Sequence, residues 1–157
     1  MDKLLAVHRD ETGRPMQKLT LTLWSVESPR HFGLLEEQAL WALGAEPVWD
    51  AGSRVSDVKL IPRDRLSRAR VAVVLSATGL YRDHFPKVMR QMAKAAQFVP
   101  QVHDADNPVA GSTERITRKL LASWVLEPRA RRAGATPIFS SESGRYGTGP
   151  DDAVLAK

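Results

Sequence analysis

Hydrophobic and polar residues alternate strictly in KLTLTLW, residues 18–24, with Leu19, Leu21 and Leu23 on one face and Thr20, Thr22 and Trp24 on the other. A period of two is that of a β-strand with one buried face. Residues 1–17 before it carry His8, Arg9, Asp10, Glu11, Gly13, Arg14 and Pro15, and they read as a polar lead-in to a single α/β domain over residues 18–157. Ser28-Pro29 is an N-cap and first-turn pair, so a helix is expected from there to Leu43, with Leu35, Ala39, Ala42 and Leu43 on one stripe and Gly44 as its stop. Residues 45–49 and 55–61 read as two strands joined by the turn Asp50-Ala51-Gly52-Ser53.

The run VAVVL, residues 71–75, is short, continuous and rich in β-branched residues, as a central parallel strand buried on both faces requires. A loop over residues 76–82 leads to Asp83 as a helix N-cap, and Phe85, Val88, Met89, Met92, Ala96 and Val99 then recur at helical spacing. HDADNPVAG is a loop by composition, Ser112 is expected to open a third helix through Ile116, Leu120 and Trp124, and residues 130–135 continue helical. Residues 137–139 read as a brief strand before a glycine-rich tail. The order of elements predicts an α/β fold, a mostly parallel sheet flanked by helices with right-handed crossovers.

Composition narrows the chemistry. The chain has 157 residues, about one domain's worth, and no cysteine, which removes disulfides, thiolate nucleophiles and the usual structural zinc sites. No apolar run approaches the roughly 20 residues that span a bilayer and the start lacks a signal-peptide pattern, so a cytoplasmic protein with no membrane partner is expected. A formal charge of +5 raises the question of nucleic acid. The positive residues gather over 54–70 and 114–132, but neither stretch is a continuous basic run and no recognition motif accompanies them, so nucleic acid is not the expected partner.

Ligands of parallel sheets gather beyond the carboxyl ends of the strands. The loops expected there, residues 25–32 and 76–83, concentrate Glu27, Arg30, His31, Arg82 and Asp83. At a helix start, Arg30 would add a forked donor for a carboxylate, while Glu27 and His31, four apart, offer an oxygen and an imidazole nitrogen to a divalent metal. The rival reading is a Glu–Arg pair beside a solvent-facing histidine, with Asp83 as a plain helix cap. His103, Asp104 and Asp106 are neighbours in one loop and do not make a metal centre. The tail residues 144–149 lack both GxGxxG spacing and a GKS or GKT ending, and HExxH and GxSxG are absent.

Three strings, LWSVESPRHFGLLEEQALWALGAEPVWD, LIPRDRLSRARVAVVLSATGLYRDHFP and IFSSESGRYGTG, together resemble the large, tetrapyrrole-binding subunit of aerobic cobaltochelatase, a family shared with the large subunit of magnesium chelatase. The resemblance runs from about residue 18 to 156. Glu27, Arg30, His31 and Gly33 stand in the family's Glu-x-x-Arg-His-x-Gly pattern. Gly79, Arg82 and Asp83 stand in its Gly-x-x-Arg-Asp pattern, and Gly144, Tyr146, Gly147 and Gly149 in its Gly-x-Tyr-Gly-x-Gly pattern.

The resemblance implies insertion of Co²⁺, as substrate metal, into a corrin-type macrocycle (hydrogenobyrinic acid a,c-diamide) for cobalamin biosynthesis, with ATP and Mg²⁺ on separate AAA+ motor subunits. On it, Glu27 and His31 are expected to be catalytic or metal-facing, and Arg30, Gly79, Arg82, Asp83, Tyr146 and Gly147 to bind substrate. The family's His-Phe-Gly-x-His-Gly stretch is missing here and Pro137 stands where the family usually has Arg, so the chain is expected to be part of a longer subunit, inactive alone. A non-catalytic module binding the tetrapyrrole or the motor subunits is the alternative.

Overall fold

The computed structural model describes residues 1–102 and 107–141. Helix α1 (Asp2–Thr12) is followed by β1 (Lys18–Leu23), α2 (Leu34–Leu43), β2 (Ala45–Trp49), β3 (Val55–Leu60) and β4 (Ala72–Ala77). Then come α3 (Gly79–His84), α4 (Pro86–Phe98), α5 (Pro108–Ala122), α6 (Glu127–Gly134) and β5 (Ile138–Ser140). The main sheet has the order β1-β4-β5 and both of its pairings are parallel. Strands β2 and β3 form a separate antiparallel hairpin. The expected α/β fold, a parallel sheet flanked by helices, is what the chain adopts.

Strand β4 lies in the middle, and the adjacent residues Val71, Ala72 and Val73 are all buried, so both faces are covered there and the run carries no polar alternation. Helix α2 packs on both β1 and β4, α5 packs on β4, and α4 joins α2 to the hairpin. Leu23, Leu43, Tyr81, Met92 and Val99 fill the space between them. On the hairpin turn, Asp50 Oδ1 accepts from the backbone N–H groups of Gly52 and Arg54, both at 2.9 Å, a local turn that an Asp at this position supplies.

Four helix starts differ from the sequence expectation, each for a local reason. The lead-in forms α1, a helix whose own residues are none of them fully buried, because Met1 and Leu5 rest against the core edge and Gly13 (φ 68) closes it. Helix α2 begins at Leu34, not Ser28, since the Ser28 hydroxyl is drawn to Glu36 and residues 24–33 form successive turns. Asp83 is not a cap: Thr78 Oγ1 accepts from Tyr81 N at 3.2 Å and starts α3 five residues earlier, with Pro86 beginning α4. Helix α5 starts at Pro108 instead of Ser112, because Asn107 Oδ1 caps Val109 N and Ala110 N while its amide donates to the carbonyls of Val99 and Val102.

The C-terminus of α2 is closed by arginines. Arg70, 2% exposed, donates to the carbonyls of Gly44 (2.7 Å), Ile61 (3.0 Å) and Leu43 (3.3 Å). Arg68 donates to the carbonyls of Trp41, Ala42 and Ala69 and lies over the Trp41 ring. Helix-end carbonyls have no intrahelical donor and carry the negative end of the dipole, so two guanidinium groups satisfy both needs. Gly44 adopts φ 78, and a Cβ there would run into the Arg70 guanidinium and Leu66. Gly13 also has positive φ but nothing within 4 Å of that position. Gly44→Ala is therefore expected to cost at least about 1 kcal/mol more than Gly13→Ala, the excess being overpacking on top of a shared backbone penalty. Urea unfolding of the two variants measures this; equal losses would show that Arg70 gives way freely.

Candidate functional site

Parallel pairing of β1 with β4 runs from Lys18↔Ala72 to Leu23↔Ala77, so both strands end level at one edge. The turns after β1 and the helix after β4 leave that edge together, and Thr78 N donates to Leu23 O at 3.1 Å across the gap. The two loops expected to carry the chemistry are thus adjacent. Ser25 Oγ and His84 Nδ1 share a 2.7 Å hydrogen bond between them.

A buried carboxylate fixes the arrangement from beneath. Glu36 Oε1 accepts from the Ser28 hydroxyl at 2.5 Å and from the Tyr81 hydroxyl at 2.8 Å, so one oxygen of α2 holds the β1 turns and α3. Burial, and after it the Glu36 charge, push the Tyr81 phenol well above its ordinary value.

On the surface of this frame, Arg30 Nη1 donates to Glu27 Oε1 at 2.8 Å, and both side chains are substantially exposed. His31 Nδ1 accepts from Leu34 N at 3.1 Å, an N–H at the start of α2 that the His31 carbonyl shares at 3.1 Å. That bond leaves the ring proton on Nε2, which is buried without a protein partner. Glu27 and His31 are not bonded to each other through their side chains, and neither lies at a helix start as expected. Ligation of a metal through Nε2 would need the proton on Nδ1, where the Leu34 N–H already sits. Among the described residues no group of three His, Asp or Glu stands close enough to hold a metal.

After β4, Gly79 is buried in the first turn of α3. Arg82 grips Asp83 with two bonds, 2.8 and 3.1 Å, and donates to the Ser141 carbonyl just past β5. Arg82 therefore links the ends of β4 and β5. Tyr146 and Gly147, together with Gly144 and Gly149, lie outside the described residues, as do His103, Asp104 and Asp106. Ser25, Glu36, Tyr81 and His84 were not singled out from the sequence; Tyr81 sits inside the Gly-x-x-Arg-Asp pattern, but the 45 residues between it and Glu36 hide the pair.

The basic stretches have internal work. Lys59 and Arg65 pair with Glu46, Arg63 donates to the Leu66 carbonyl, and Arg68 and Arg70 close α2. Arg118 and Arg131 pair with Glu114 and Glu127 one helical turn away. Among the described residues no helix is long and apolar enough to cross a membrane.

The model of the CobN/Magnesium Chelatase family matches residues 1–157. The chain belongs to that family. It is 36% identical over 154 residues to the aerobic cobaltochelatase subunit CobN of Pseudomonas aeruginosa, covering 96% of this chain and 12% of that protein. It is 29% identical over 157 residues to the chloroplastic magnesium-chelatase subunit ChlH of Oryza sativa subsp. japonica, covering 98% of this chain and 11% of that one. The solved catalytic subunit of cobaltochelatase from Mycobacterium tuberculosis superimposes with a TM-score of 0.79 at 33% identity, over 99% of this chain and 14% of that one. This CobN/chelatase-family chain thus spans about an eighth of the length of such relatives.

The raised Tyr81 phenol gives a pH dependence with a definite sign. A raised acid pKa means that the neutral phenol is favoured by folding, so its contribution is constant below the ordinary value of 10.0 and is lost as pH rises above it. In a Tyr146→Phe variant, which leaves one tyrosine, the phenolate absorbance is expected to stay flat through pH 10 and to appear only with unfolding. Ionisation near pH 10 in a folded chain would contradict the Tyr81–Glu36 bond.

Proposed function

We propose that this chain forms one wall of the macrocycle cleft of a metal-inserting chelatase large subunit, cobalt being the metal of the nearer relatives. The observation that carries the reading is that Glu27-x-x-Arg30-His31-x-Gly33 and Gly79-x-x-Arg82-Asp83 stand on adjacent loops at the carboxyl edge of one parallel sheet. The substrate would be a corrin-type tetrapyrrole such as hydrogenobyrinic acid a,c-diamide, Co²⁺ the metal inserted, and ATP with Mg²⁺ the business of AAA+ partner subunits. The lack of a phosphate-binding loop pattern in this sequence is compatible with that division.

In this reading Arg30, whose side chain is 75% exposed, turns its guanidinium from Glu27 to a peripheral carboxylate or amide of the ring. Arg82, anchored to Asp83 and Ser141, supports the facing loop and meets a second substituent. Entry of a divalent cation expels two ring N–H protons, and Glu27, freed from Arg30, is placed to accept one. His31, whose Nε2 is buried, takes the second proton at Nδ1 when its bond from Leu34 opens.

Titration with a free-base tetrapyrrole, followed by absorbance and by quenching of the four tryptophans, tests the reading. Saturable binding is expected, several-fold weaker in Arg30→Ala and weaker again in Arg82→Ala, and unaltered in the remote Glu114→Ala. Replacing His31 by Ala is expected to weaken metal-dependent changes at a stability cost below about 1 kcal/mol, since the residue 31 carbonyl keeps its bond from Leu34 N. A folded chain that binds no tetrapyrrole, or binds it equally in all four variants, removes the proposal.

A further inference from the structure

Strands β1 and β4 start level at Lys18 and Ala72, the edge of the sheet opposite the one that carries Arg30 and Arg82. Two hollows adjoin at that edge and share Lys18, Ala72 and Ser112 in their walls. The inner one, about 320 Å³, lies between the sheet and the α5–α6 pair, and Leu43, Val73, Val109, Ile116 and Phe139 make its lining mainly apolar. The outer one, about 380 Å³, is more polar, with Gln17, Asn107 and Arg115 around the start of α5. Among the described residues no Asp or Glu lines either hollow.

Lys18 and Arg115 give the mouth its sign. Both are exposed, and among the described residues neither side chain has an acid or any other hydrogen-bond partner, whereas Arg118 one turn on is held by Glu114. Ser112 supplies a donor between them. It is 9% exposed and its hydroxyl has no hydrogen-bond partner among the described residues, yet unlike Glu36 Oε2 that oxygen keeps a surface open to water. Ser112 and Arg115 are three apart on α5 and so share one side of it, and both line the outer hollow. The N–H groups of Val109 and Ala110 are already taken by Asn107 Oδ1, so the preference for an anion rests on these side chains and not on the helix end. An apolar chamber with a cationic mouth and a placed hydroxyl donor has the character of a site for an amphipathic acid.

We propose that these adjoining hollows bind an organic carboxylate carried on an apolar body, the carboxylate accepting from Ser112 Oγ between Lys18 and Arg115 and the body lying against Val73, Ile116 and Phe139. The site is separate from the macrocycle reading: it lies at the other end of the strands and uses none of the residues assigned there.

The test uses 3-phenylpropionate and its neutral isostere 3-phenylpropanamide at low ionic strength, with the Ile116 methyl resonances, assigned by Ile116→Val, as the reporter. The acid is expected to shift them saturably and to bind about tenfold tighter than the amide, the difference that charge-assisted hydrogen bonding makes. Lys18→Gln combined with Arg115→Gln is expected to abolish the preference, and Ser112→Ala to weaken binding of the acid several-fold. Lys119→Gln, on the same helix but outside both hollows, is expected to change nothing. Equal binding of the two ligands by the unaltered chain overturns the proposal, as does the absence of any shift. So does a preference that survives the double substitution or is lost equally in Lys119→Gln, or an affinity for the acid that Ser112→Ala leaves unchanged.

Discussion

The parallel pairing of β1 with β4 is the constraint on which the rest hangs. Six residues of each strand are in register, and parallel strands place their carboxyl ends on the same side. Two loops separated by some fifty residues of sequence therefore emerge together, and everything chemically notable follows one strand end or the other. The pairing alone would leave the loops free to splay. Glu36 prevents this, because a single carboxylate oxygen accepts from Ser28 on one side and Tyr81 on the other. Both donors are hydroxyls, and one carboxylate oxygen serves both.

Delivering β4 into the middle of the sheet has its own requirement. The chain must leave α2, make the hairpin and return, and the backbone N–H groups of Gly44, Val71 and Ile61 meet part of the accepting capacity of the carbonyls that turn inward at the end of α2. Arg70 and Arg68 add to this from the segment just before β4, reaching the carbonyls of residues 41–44 and of Ile61. A surplus of positive charge thus has a structural destination. Within the basic stretch over residues 54–70, Arg68 and Arg70 turn inward, while Lys59 and Arg65 stay exposed and pair with Glu46.

Strands were legible because their periods are short and their neighbours local: Leu19, Leu21 and Leu23 alternate, VAVVL does not, and Asp50 to Gly52 can only turn. Helix starts were not, for the opposite reason. Ser28 and Asp83 have the right side chains for caps, but Ser28 is drawn eight residues on to Glu36, and Asp83 is held by Arg82 while Thr78 has already opened the helix. Asn107 outcompetes Ser112 because its amide is also fixed by two carbonyls of the preceding turn. The same distinction governs the site. Glu27, Arg30, His31, Arg82 and Asp83 were visible as patterned residues, whereas Glu36, Tyr81, Ser25 and His84 matter through partners 45 and 59 residues away.

The two arginines of the candidate site are unequal, and the inequality says how the edge would take a ligand. Each is already paired with an acid of its own loop, so an incoming anion must compete with Glu27 or Asp83 for the guanidinium charge. The Arg30–Glu27 pair is largely exposed, and pairs of that kind are worth at most about 1 kcal/mol, so exchanging one carboxylate for another there costs little. Arg82 is less exposed, grips Asp83 with two bonds and holds the end of β5 through Ser141. Pulling it away would loosen a strand as well as break a pair. On the proposed reading Arg30 would be the residue able to follow a ligand, while Arg82 keeps its loop in place through Asp83 and Ser141.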